Sequence, residues 1–85
     1  MEQKIGNFDL EIPAIENRKV NFSRLESDLG RFFCNDPKNT FVNLIGDKKY
    51  LLRELRDYLR SSFDYKILKV GKRSNVYLIK VGANI

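Results

Sequence analysis

Four basic side chains recur at helical spacing in the C-terminal half of the chain. They are Lys49, Arg53, Arg56 and Arg60. On a helix, intervals of four, three and four residues place them in one row about 17 Å long, at roughly 1.5 Å per residue. A guanidinium offers paired donors that match phosphate oxygens. The spacing therefore predicts a row that contacts several phosphates of a nucleic acid.

A second basic pair follows in the segment Gly71-Lys72-Arg73-Ser74, which separates two strand-like runs and predicts a hairpin with Lys72 and Arg73 at its tip. Residues 41–85 carry ten basic and four acidic side chains, a balance of +6, whereas residues 1–40 carry six and seven, a balance of −1. A positive surface on a small protein commonly meets a polyanion. We therefore predict a basic protein that binds DNA or RNA through these six residues, mainly at phosphates and with little sequence specificity.

A different interpretation of the row is that its long side chains only solvate the outer face of a helix, partly paired with Glu54 and Asp57. The alternative function is then a small regulatory or viral adaptor that binds an acidic protein surface or pairs through an exposed edge strand. A homodimer formed through the C-terminal hairpin is a third possibility.

Composition disfavours catalysis and metal binding. The chain of 85 residues contains no histidine and one cysteine, so Ser/His and Cys/His pairs, an internal disulfide and a Cys/His metal cluster are excluded. We expect no enzyme activity and no cofactor. No apolar run is long enough for a signal peptide or a membrane span, so we expect one cytoplasmic domain over residues 1–85 that does not bind membranes.

Periodicity divides the chain into six segments. Apolar residues alternate in strand-like runs and recur every three or four residues in helical ones. The predicted strands are 7–12, 40–45, 65–70 and 75–81, and the predicted helices are 21–33 and 48–62. Ser23 with Glu26, or Asn21, is expected to cap the first helix, and Asp47 the second. Phe63 is expected to extend the apolar face of the second helix.

The order β-α-β-α-β-β predicts an α+β fold, a single two-layer α/β sandwich in which a four-stranded mixed sheet carries both helices on one face. A winged-helix-like arrangement of residues 48–81 is the alternative.

Tyr65 and Tyr77 would stack on bases if they faced outward. Cys34 is expected in apolar surroundings at the end of the first helix, with a structural role.

In its order of elements the chain resembles the Alba chromatin proteins, the C-terminal domain of bacterial translation initiation factor three and the small sulfur-carrier proteins of the TusA type. The resemblance implies the sandwich fold. The sulfur carriers place a Cys-Pro pair at the start of their first helix, where this chain reads Asn21-Phe22-Ser23-Arg24. The chain therefore lacks the residues that carry sulfur-transfer chemistry in that family.

Overall fold

The computed structural model describes residues 6–16 and 18–84 of the chain. A four-stranded sheet, a two-stranded hairpin and two α-helices make up its regular structure. The elements are β1 (Gly6–Glu11), β2 (Ala14–Ile15), β3 (Lys19–Val20), α1 (Phe22–Phe33), a 3₁₀ turn (Pro37–Asn39), β4 (Thr40–Gly46), α2 (Lys49–Arg60), β5 (Tyr65–Arg73) and β6 (Val76–Ala83).

The main sheet has the strand order β1-β4-β6-β5. β1 pairs parallel with β4, whereas β6 pairs antiparallel with both β4 and β5. The predicted α+β fold with a four-stranded mixed sheet and two helices is confirmed. The winged-helix alternative is not found, because residues 22–33 form one continuous helix and the four long strands share one sheet.

Both helices pack on one face of this sheet, and alternation along the strands explains which residues they cover. Val42 and Leu44 of β4 are fully buried, as are Ile79 and Val81 of β6. The helices contribute leucines at four-residue intervals, which lie on one side of a helix. These are Leu25 and Leu29 of α1 and Leu51, Leu55 and Leu59 of α2. The strand and helix residues form one apolar cluster between the two layers.

Three aromatic contacts join α1 to its neighbours at ring separations typical of favourable pairs. The ring centroids lie 5.0 Å apart in Phe8–Phe32, 4.7 Å in Phe22–Tyr58 and 5.2 Å in Phe33–Tyr65. They connect α1 with β1, α2 and β5. The first helix is therefore held at both of its ends.

The helix caps agree with one prediction and correct another. Asn21 caps α1, and its side chain accepts a hydrogen bond from the backbone N–H of Arg24 at 3.2 Å. The prediction that Asp47 caps α2 is wrong, since Lys48 occupies the N-cap without a side-chain bond. The reason is that Gly46 still belongs to β4 and pairs with Tyr77, so the helix begins one residue later than expected.

The expected place of Phe63 in the core is also wrong. α2 ends at Arg60, and Ser61 is its C-cap. Residue 63 therefore lies beyond the helix, and its side chain is 91% exposed. Helical periodicity alone cannot show where the backbone leaves the helix.

The small β2–β3 hairpin lies between the first predicted strand and the first predicted helix, where the sequence predicted no regular element. Ala14 pairs with Val20 and Ile15 with Lys19. The hairpin contacts α2, where the backbone N–H of Val20 donates to Glu54 Oε1 at 3.0 Å. This bond gives Glu54 a structural partner.

The last hairpin turns later than predicted. Lys72 and Arg73 are not loop residues, because they pair with Tyr77 and Val76 inside the β5–β6 ladder. The turn is Ser74-Asn75, and Ser74 has a φ of 53°. A positive φ at the first central residue suits the two-residue turns whose twist matches that of paired strands.

Neither helix in the described part of the chain is long and apolar enough to cross a lipid bilayer.

Candidate nucleic-acid interface

The four predicted basic residues of α2 share one side of the helix. Lys49, Arg53 and Arg60 are exposed, and Arg56 is half-buried. Leu51, Leu55 and Leu59 anchor the other side of the same helix in the core. The packing of the leucines therefore turns the basic row toward solvent, as the spacing predicted.

Arg56 differs from the rest of the row. Its Nε atom is buried and has no hydrogen-bond partner. Arg56 and Arg60 line a cleft of about 390 Å³ between α2 and the edge strand β5, and Ile67 and Val70 form part of its apolar wall. Among the described residues, no carboxylate lines this cleft. A buried donor of a charged group without an acceptor is costly, and an anion reaches Nε only if the Arg56 side chain turns toward the cleft.

Within the described part of the chain, no carboxylate forms an ion pair with the row. The two ion pairs found among residues 6–16 and 18–84 are Arg24–Asp28 at 3.6 Å and Arg73–Asp9 at 3.9 Å. Glu54, a suggested partner of the row, instead accepts the bond from Val20.

The two basic residues of the last hairpin do not extend the row together. Successive side chains of a strand point to opposite faces of the sheet. Lys72 therefore points to the face that carries the helices, and Arg73 points to the opposite face. Lys72 Nζ lies 5.4 Å from the centre of the Tyr77 ring, whereas Arg73 reaches Asp9 across the other face. Of the six predicted residues, five lie on the helix side and Arg73 does not.

One face of the main sheet is turned away from the helices and is here called the open face. It carries cations that the sequence did not assign to one surface. A bulge between Ile67 and Lys69 places both Leu68 and Lys69 on this face. Its basic residues are Lys66, Lys69, Arg73 and Lys80. Lys80 Nζ lies 5.1 Å from the centre of the Phe41 ring. Only the register of the strands, which periodicity does not specify, brings these side chains together.

Tyr65 and Tyr77 are half-buried on the helix side, so neither is an outward stacking platform. Tyr65 packs on Phe33. Burial, and to a smaller extent the charge of Asp64, raises the pKa of Tyr65.

Tyr58 donates a hydrogen bond to the Glu26 carboxylate. Burial and then this carboxylate raise the pKa of Tyr58 well above its ordinary value of 10.0.

The raised pKa of Tyr58 predicts a loss of stability in alkali. The folded protein keeps the hydroxyl proton above pH 10, where the unfolded chain releases it. The free energy of unfolding is therefore fully retained below about pH 10 and falls as the pH rises beyond it. We expect Tyr58→Phe to reduce this fall and Glu26→Gln to reduce it less. Urea unfolding at about pH 9 and pH 11 measures the difference, and an unchanged fall in Tyr58→Phe contradicts the assignment.

Cys34 corrects one expectation. It is exposed at the C-cap of α1 and not packed among apolar residues. Its Sγ lies 3.4 Å from the Arg31 carbonyl oxygen, to which it donates. Among the residues that the structure describes, no group of His, Cys, Asp or Glu side chains could hold a metal ion.

Comparisons with known proteins assign no family to this chain. No protein-family model matches it, and no curated protein or solved structure matches it at a significant level.

Proposed function

We propose that this protein binds nucleic acid through phosphate contacts made by the outer row of α2, with little dependence on base sequence. The observation that carries the proposal is a row of four cations on one side of a helix, none of them in an ion pair with a described carboxylate. Lys49, Arg53 and Arg60 are exposed and can reach the phosphate backbone of a nucleic acid, and Arg56 lines the cleft beside them.

The length of the row suits a polyphosphate. Measured along the axis of B-form DNA, one strand carries a phosphate about every 3.4 Å, so a stretch of duplex about 17 Å long holds enough phosphates for every cation of the row. Lys72 on the same side of the molecule supplies a fifth cation. Arg73 lies on the opposite side and has no place in this contact, which departs from the six-residue site that the sequence suggested.

Salt dependence tests the mechanism. With about five phosphates neutralised, the logarithmic slope of affinity against salt is near −4.5, so binding falls roughly 500-fold between 50 and 200 mM NaCl. Fluorescence anisotropy with labelled single- and double-stranded DNA and RNA of several sequences measures this slope. Binding that is insensitive to salt, or confined to one sequence, contradicts the proposal.

An acidic protein surface is the second candidate. The cleft between α2 and β5 favours it, since Val70, 46% exposed, and Ile67 offer apolar contacts beside Arg56 and Arg60. The outer edge of β5 is also unpaired within the described sheet. Pull-down with and without nuclease separates the two candidates, because a partner held through nucleic acid is lost on digestion and a directly bound protein is retained.

A further inference from the structure

The open face of the sheet separates its charges by strand. The edge strand β1 contributes Asp9 and Glu11, whereas the opposite edge strand β5 contributes Lys66, Lys69 and Arg73. The two charges already attract each other within one chain, since Arg73 reaches Asp9 at 3.9 Å while both side chains remain more than half exposed. The face therefore has an acidic margin and a basic margin.

Between these margins the open face carries apolar residues on either side of one polar row. Phe41 and Ile45 of β4 are half-buried, and Leu78 of β6 is only 8% exposed although it lies outside the main core. Asn43 and Lys80 lie between them. Leu68 and Phe41 of the same chain cover Gly82, since a Cβ placed there would lie 3.0 Å from Leu68 Cδ1 and 3.6 Å from Phe41 Cδ1. Apolar residues enclosed by a charged rim are common in protein interfaces.

We propose that a second copy of this chain covers the open face in a symmetric dimer. Two sheets packed face to face, with a two-fold axis between them and parallel to their strands, place β1 opposite β5 of the other copy and β4 opposite β6. The acidic margin of each copy then faces the basic margin of the other, and the two-fold symmetry makes this contact occur twice in the dimer. Packed sheets lie about 10 Å apart with their strands within about 30° of each other, which such side chains can span.

The strand register makes this match specific. Asp9, Asn43, Lys80 and Lys69 form one row across the sheet. The two-fold places Asp9 opposite Lys69 of the second copy and Asn43 opposite its Lys80. In the rows on either side, apolar residues face each other. Phe41 lies opposite Gly82 and the Leu68 side chain that covers it, and Ile45 lies opposite Leu78.

The same charges argue against other occupants and other dimers. A polyphosphate on this face would meet Asp9 and Glu11, and the Phe41 ring is already covered by Lys80. A dimer through the hairpin edge would pair β5 with itself, and that strand carries four cations and no acid. Like charges on paired strands are destabilising. Face-to-face packing instead brings opposite charges together and leaves the α2 rows on the two outer surfaces.

The area of the face indicates a weak association. Four strands about 4.8 Å apart and roughly seven residues long give a footprint near 450 Å² per copy, or about 900 Å² in total. This value lies in the range of weak, transient interfaces, so we expect reversible dimerisation and not a permanent dimer.

Sedimentation equilibrium of the full chain at about 1–200 μM tests the dimer. We expect reversible dimerisation of the wild-type protein. Asp9→Lys and Lys69→Asp each place like charges opposite each other and should weaken self-association at least about tenfold. Mixed in equal amounts, the two variants should associate again, because each substituted position then faces an opposite charge on the other chain.

Asp57→Lys and Lys19→Asp provide the matched control, since they make the same two charge changes at exposed positions of α2 and β3, away from the open face and outside the α2 row. Their mixture should associate no more strongly than the wild type. A wild-type protein that stays monomeric, an unchanged dimer in Asp9→Lys, or a mixture that fails to recover overturns the proposal. Association of the control mixture that is clearly stronger than that of either control variant alone also overturns it, because it would show general charge attraction. Circular dichroism confirms that each variant is folded.

A single strand of nucleic acid on the open face predicts a different result, namely a monomer whose affinity for an oligonucleotide rises in Asp9→Lys and falls in Lys69→Asp. That outcome also overturns the dimer. Because none of these residues lies in the α2 row, loss of the dimer and loss of the proposed phosphate contacts are separately observable.

Discussion

Replacing Arg53, Arg56 and Arg60 together by glutamine is expected to weaken nucleic-acid binding roughly 150-fold at 50 mM NaCl, at about 1 kcal/mol for each lost charged contact. The loss should be similar for all sequences, since the contacts are to phosphates. The three substitutions should also reduce the salt dependence of the binding affinity. With two of about five contacts left, affinity should fall only about 12-fold between 50 and 200 mM instead of roughly 500-fold. Anisotropy titrations at both salt concentrations measure the two effects.

A triple variant with Arg24, Arg31 and Lys38 replaced by glutamine is the control for net charge. These residues are exposed on other parts of the molecule, and the variant loses the same three charges. It should keep most of the affinity and nearly the full salt slope. Equal losses in the two variants would mean that total charge, and not the α2 row, determines binding. Restoring the row with lysines should recover the slope but only part of the affinity, because lysine lacks the paired donors of arginine.

Leu55→Ala is expected to lower the free energy of unfolding by about 2–5 kcal/mol, the range for truncating a buried leucine. Leu55 is fully buried in the cluster that joins α2 to the sheet. A domain of this size has a total stability of roughly 4–13 kcal/mol. A loss of about 3 kcal/mol corresponds to a fall in Tm of roughly 12–24 °C. Urea and thermal unfolding measure both quantities.

Phe63→Ala is the matched control, because sequence periodicity assigned Phe63 to the same apolar face and the structure leaves it 91% exposed. Its effect should stay within about 0.5 kcal/mol. A large loss in Phe63→Ala, or a negligible one in Leu55→Ala, would contradict the packing of α2. The pair therefore tests the position of the helix that carries the basic row.

Local periodicity was sufficient to predict both helices and the four long strands. Leu51, Leu55 and Leu59 recur at the interval that forms one apolar side of a helix, and the basic residues of α2 occupy the side that remains. These relations depend only on residues close in sequence. For that reason the outward direction of the α2 row could be predicted before the fold was known.

Boundaries and caps were less predictable, because distant residues decide them. The pairing of Gly46 with Tyr77 extends β4 and delays α2, so Asp47 does not cap the helix. The β5–β6 ladder likewise continues to Arg73 because Val76 and Tyr77 are available as partners. In both places a hydrogen-bonded partner far along the chain outweighs a local turn signal.

The amino-acid sequence by itself determined the class of fold, the element order and the cationic side of α2, because each follows from spacing along a single segment. Tertiary structure alone decided that Arg73 leaves that side, and that Asp9 and Lys69 share one row at opposite edges of the open face. The physical reason is that one residue of register, or one bulge such as that at Leu68, moves side chains from one face of a sheet to the other. Strand pairing, which spacing within a strand does not encode, therefore determines which charges meet.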